Sequence, residues 1–71
     1  MNQVLAKKLL HSKWTKVTPE NKEKHFAITE VAYDEDGKVI HCVTQAVYSA
    51  NEYPINWREL KDSSIWRVGW V

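Results

Sequence analysis

The 71-residue chain has one cysteine, two glycines and two prolines. A lone thiol, Cys42, cannot close an intramolecular disulfide, so nothing implies an oxidising compartment. No stretch approaches the roughly 20 consecutive apolar residues that span a bilayer. The opening "MNQVLAKKLLHSKW" starts without charge and has no apolar run long enough for a signal peptide. A cytoplasmic protein that does not enter membranes is the expectation. Repeats, low-complexity tracts and linkers are missing as well, which leaves one domain over 1–71. Within it, residues 1–12 are expected to be flexible or to form a short helix with Leu5 and Leu9 one turn apart.

Tryptophan, by contrast, is plentiful. Three of the four lie in "INWRELKDSSIWRVGWV", the last seventeen residues. A short chain buries only a modest core, so at least two of Trp14, Trp57, Trp66 and Trp70 belong inside it. Charge is unevenly spread. Residues 1–24 carry six lysines against Glu20 and Glu23, a balance of +4, and residues 25–71 carry −3. A basic leading third suits a phosphate backbone, although such lysines also serve as a solvated face.

The clearest local signal is "YDEDGKV", residues 33–39. Asp34-Glu35-Asp36-Gly37 has the chemistry of a type I turn followed by a left-handed glycine, the turn-plus-bulge hairpin. It makes Lys38 the partner of Asp34 and predicts strands 25–33 and 38–48. In that register Phe26 faces Ala46 and Glu30 faces Cys42. One side then gathers Phe26, Ile28, Glu30, Ala32, Ile40, Cys42, Thr44, Ala46 and Tyr48, which is apolar apart from Glu30 and Thr44.

Around this hairpin, "KWTKV" (13–17) reads as a first strand and "TPENKEK" (18–24) as a polar loop. "EYPIN" reads as an edge strand marked by Pro54. Asn56 with Glu59 three residues on is a capping pattern for a single 3₁₀ turn over 57–61, flanked by Ile55 and Leu60. "SIWRVGW" alternates, which puts Trp66, Val68 and Trp70 on one core-facing side. The fold class is therefore mainly β: a small five-stranded, strongly bent antiparallel sheet of SH3-like barrel type with a 3₁₀ turn before the last strand. A split sheet crossed by an N-terminal helix is the alternative.

Several stretches, "KKLLHSKWT" (7–15), "NKEKHF" (21–26), "TEV" (29–31), "HC" (41–42) and "WRELKDSSIWRVGW" (57–70), resemble a small family of tryptophan-rich bacterial proteins known mainly as a domain of unknown function. The resemblance implies a compact, complete bacterial domain and supplies no activity or site.

Chemistry offers little. His41 and Cys42 are adjacent and point to opposite faces of a strand, and His25 stands roughly 20 Å along it. Neither matches a zinc spacing, so no metal and no cofactor are expected. Cys42 falls on the apolar side as an inert thiol, and Glu30, near a barrel mouth, would pair with Arg58 or Arg67. A catalytic reading would need Glu30 and Cys42 together in a cleft, so no enzyme is expected. Trp66 and Trp70 are expected in the core, Trp14 and Trp57 partly exposed. The remaining reading is a non-catalytic binding module that uses an aromatic and basic surface of Trp14, Tyr53, Trp57, Arg58 and Arg67. Its partner would be single-stranded nucleic acid, with a peptide or protein as the alternative. A small structural subunit with an aromatic oligomer interface is the third possibility.

Overall fold

A computed structural model describes residues 1–71. Five strands, β1 (Lys13–Glu20), β2 (Glu23–Tyr33), β3 (Val39–Ala46), β4 (Glu52–Pro54) and β5 (Trp66–Val68), form one antiparallel sheet in the order β4-β3-β2-β1-β5. The sheet is mainly β and five-stranded as the sequence implies, but it stays open: β4 and β5 are its two edges and do not pair. The helical content is two 3₁₀ turns, Ala6–Lys8 and Trp57–Lys61.

The hairpin turn forms for the local reasons given. Gly37 has φ +79° and its N–H donates to the Asp34 carbonyl, while the Asp34 carboxylate accepts from the N–H groups of Asp36 and Lys38. Phe26–Ala46, Ala27–Gln45 and Ile28–Thr44 pair as expected. Beyond Ile28 a bulge intervenes, and Glu30 pairs with Val43 and Val31 with Cys42. One extra residue reverses which side each following side chain takes. On β2 Val31 thus turns inward and Glu30, assigned to the apolar side by the sequence, is exposed, while Cys42 keeps its expected inward place. A second irregularity after Ala32 skips Ile40 on β3 and restores the expected Tyr33–Val39 pair, leaving Ile40, also assigned to the apolar side, exposed. Tyr48 is exposed as well, because β3 ends at Ala46.

The stretch 18–24 is not a loop. Strands β1 and β2 run on to a two-residue turn, Asn21-Lys22, with φ of 53° and 62°, the I′ pattern that matches strand twist. Pro19 is tolerated there because β5 pairs only with residues 14–16 of β1.

One side of the sheet carries the core: Leu9, Trp14, Phe26, Ile28, Cys42, Ala46, Leu60 and Trp66. Phe26 and Trp66 meet edge to face at 5.1 Å between ring centroids. Leu60 enters from the 3₁₀ turn, which Asn56 caps by accepting from the Arg58 N–H. Residues 1–12 close one end. Leu9 is buried, and Asn2 ties to the backbone by donating its side-chain amide to Leu60 O (3.0 Å) and Trp66 O (2.6 Å). Leu5, the presumed helical partner of Leu9, is exposed. No helix is long and apolar enough to cross a membrane.

Two tryptophans exchange places with respect to expectation. Trp14, expected at the surface, is buried at 3% exposure and donates its indole N–H to Ser12 Oγ at 2.9 Å. Trp70, expected in the core with Val68, is 46% exposed, and Val68 is exposed too. For Trp70 the cause is Gly69, whose φ of +80° breaks the alternation of β5; Val68 precedes it, keeps the side of its partner Trp14 and is exposed on the edge strand. Trp66 is in the core as expected, and Trp57 is half-buried.

Candidate functional site

After Gly69 the chain bends over the side of the sheet opposite the core. Its N–H still bonds Lys13 O (2.8 Å), extending the pairing of β5 with β1. Thr15 then anchors the turn, donating through Oγ1 to Gly69 O at 2.6 Å and accepting from the Val71 N–H at 3.1 Å. Those two bonds, and the chain above it, explain why a threonine on an outward position is 2% exposed. Trp70 comes to rest over β1 and β2, with its indole N–H donated to Phe26 O at 2.9 Å.

Around the Trp70 ring the side chains are basic or aromatic. Lys13 Nζ lies 4.9 Å from the ring centroid, and the His25 ring is 6.2 Å away at a 45° tilt. His25 Nε2 is 3.1 Å from Val71 O. Beside them a shallow depression is lined by Lys24 and Arg67 together with Thr15, Lys16, Val17 and Val71. Register accounts for the grouping. Thr15 pairs with both His25 and Arg67, and Lys13 with Ala27, so Lys13, His25 and Arg67 stand on one face of three adjacent strands.

The residues singled out from the sequence do not form one surface. Trp57 and Arg58 stay together: the Arg58 guanidinium is 6.0 Å and Lys61 Nζ 4.9 Å from the Trp57 ring centroid, so two cations flank a half-buried indole. Arg67 lies on the opposite side of the sheet, with the Trp70 group. Trp14 is in the core. Tyr53 belongs to a third place, a pocket on the core side.

That pocket, about 250 Å³, is lined by Lys16, Glu20, Asn21, Glu23, Phe26, Thr44, Tyr53, Ile55, Glu59 and Trp66. Glu23 is its centre. The side chain is 4% exposed and accepts hydrogen bonds from Ser49 Oγ, from Asn51 Nδ2 (3.1 Å) and from the Tyr53 hydroxyl (2.6 Å). Bonds from Ser49 and Tyr53 hold its carboxyl below the usual carboxylate range, and the carboxylate in turn pushes the Tyr53 phenol up. All three donors are neutral. No lysine, arginine or histidine comes within 4.0 Å of the carboxylate, the single contact of that kind in the chain being Glu30–His41 at 3.0 Å. Trp66 closes the pocket wall, and its indole N–H is the one buried side-chain polar group without a partner.

Of the catalytic candidates, Cys42 points into the core, where burial pushes its thiol up, and Glu30 is exposed on the other side beside His41. Glu30 therefore does not pair with Arg58 or Arg67, and it shares no cleft with Cys42. Sequence reasoning missed Lys13, Lys24, His25 and Trp70 as one surface, and Glu23 as the centre of another. Gly69 immediately before Trp70 was the available signal for the first; for the second, Ser49, Asn51 and Tyr53 alternate along the chain.

No curated protein and no solved structure matches the chain. The family model described as "Tryptophan-rich protein (DUF2389)" matches residues 12–71, so the chain belongs to this tryptophan-rich family.

Proposed function

We propose that the protein is a non-catalytic binding module of the bacterial cytoplasm that holds single-stranded nucleic acid on the outer side of its sheet. The observation that carries this reading is the exposed Trp70 ring, fixed by its own N–H bond and flanked by Lys13 and His25, with Lys24 and Arg67 lining a depression on the same side of the sheet. An unpaired base stacks on such a ring while the cations take neighbouring phosphates, at about 1–3 kcal/mol per stacked base. The element order supports an SH3-like plan, with β5 placed beside β1 after a 3₁₀ turn. Small β folds of that plan host many ligands, so the argument rests on the surface and not on the architecture.

The test is an amide NMR titration with a short mixed-sequence single-stranded RNA at low and moderate salt, following the four indole N–H signals. Saturable movement of Trp70, weakened by salt and reduced at least tenfold in affinity by a Lys13→Ala, Arg67→Ala pair, supports the module. An unmoved Trp70 signal overturns it, whether or not Trp57 responds. In that event, titration with peptides and mass measurement against concentration decide between a peptide-binding module and a structural subunit.

A further inference from the structure

The pocket around Glu23 lies on the side of the sheet opposite Trp70 and is independent of the reading above. Buried carboxylates are normally matched by a cation, because an unpaired charge out of water is costly. Glu23 has no cation within 4.0 Å, and Lys16 acts on it only from farther away. Three neutral donors orient it, and the nearest structural cation of the pocket, Lys16, stands instead against an aromatic wall, with Nζ 5.4 Å from the Trp66 ring centroid.

The other walls have the same preference. Phe26, Tyr53 and Trp66 present aromatic surface, and Glu20 and Glu59 add two more carboxylates. Glu59 occupies the position from which it would close a capping box with Asn56, yet its side chain makes no such bond. A cation over aromatic rings and near carboxylates is attracted by both. The volume, about 250 Å³, is below the ~300–1,000 Å³ of sites for larger small molecules and suits one side-chain-sized group.

We propose that this pocket is a receptor for an organic cation, an ammonium or guanidinium group on a short apolar stem, as in the side chain of a basic amino acid. The cation would face Glu23, with its stem along Phe26 and Tyr53, and would displace Lys16 from Trp66. Both a free amino acid and a basic residue of a partner peptide have this chemistry.

Free arginine and a capped Gly-Arg-Gly tripeptide serve as probes, each titrated into isotope-labelled protein at constant ionic strength. Citrulline, the neutral analogue of arginine, is the control. The expected result is saturable shifts confined to Thr44, Tyr53, Glu59 and the Trp66 indole, with citrulline at least tenfold weaker. Binding of arginine but not the tripeptide assigns a small-molecule cation; binding of the tripeptide alone assigns a partner's side chain. Glu23→Gln should lose at least tenfold in affinity, and Lys16→Ala should gain several-fold because the resident cation is gone. Glu59→Gln, at the pocket rim, keeps the test decisive if Glu23→Gln does not fold, and should weaken binding about threefold. The proposal is overturned if neither probe shifts the pocket, if citrulline binds as well as arginine, or if the folded variants bind like the parent.

Discussion

Thr15→Val tests how the Trp70 surface is built. The substitution keeps the shape of a side chain that is 2% exposed and removes only its hydroxyl. Lost with it are the bond donated to Gly69 O at 2.6 Å and the one accepted from the Val71 N–H at 3.1 Å. Each such bond contributes about 0.5–1.5 kcal/mol net, so the upper bound is about 3 kcal/mol. Val71 is exposed, and both freed groups regain water if the tail lifts, which brings the expected loss to about 1–2 kcal/mol. For a domain of this size that is a fall of about 4–8 °C in Tm per kcal/mol, measurable by thermal or urea unfolding. The local consequence separates this account from general loosening. In the folded variant the Trp70 indole N–H, bonded to Phe26 O, should lose exchange protection, while those of Trp14 and Trp66 keep theirs. Unchanged stability with an unchanged Trp70 signal would refute the anchoring role. So would an equal loss of protection at all three indoles.

Other perturbations have equally definite outcomes. Leu60→Ala removes a fully buried side chain that the 3₁₀ turn delivers to the core, and should cost about 2–5 kcal/mol in urea unfolding. Because burial holds the Cys42 thiol up and covers it, native protein should label slowly with a mild thiol reagent, at a rate set by opening; labelling as fast as in denatured protein would contradict the burial. The Glu23 carboxyl titrates lower folded than unfolded, so its stabilising effect is complete above the ordinary value of 4.5 and disappears as pH falls through the depressed folded value. Unfolding free energies measured down this acid range should fall more steeply for the parent than for Glu23→Gln, and parallel curves would show that Glu23 contributes nothing there.

What could be read in advance was local. The hairpin turn needs only Asp34 and Gly37, and the capped 3₁₀ turn only Asn56, so both were legible from a few adjacent residues. The first half of the hairpin register followed from the turn for the same reason. The bulge after Ile28 did not, because the stretch has no glycine or proline to announce it, and it reversed the facing of Glu30 and Val31 until a second irregularity at Ile40 restored the register. Trp14 and Trp70 were misplaced together. Alternation was carried through Gly69, whereas a left-handed glycine there turns the chain across to the other side. The Glu23 pocket was invisible for a different reason: its donors lie 26 to 30 residues away in sequence and converge only when β4 docks on β3.

The two short edges of the open sheet have a further consequence. An exposed strand edge is a template on which another chain can lengthen the sheet and begin a fibril. Here each outermost strand is three residues long, Glu52–Pro54 at one side and Trp66–Val68 at the other, and the uncovered ends of β3 and β1 complete the two edges. Pro54 has no N–H to offer a newcomer, and Gly69 bends the chain away just where the second edge would continue. A long β2–β3 hairpin with strong strand propensity is thereby flanked by outermost strands too short to recruit on their own. Both devices work against polymerisation through the backbone in a chain rich in tryptophan and exposed apolar side chains, Ile40 and Tyr48 among them.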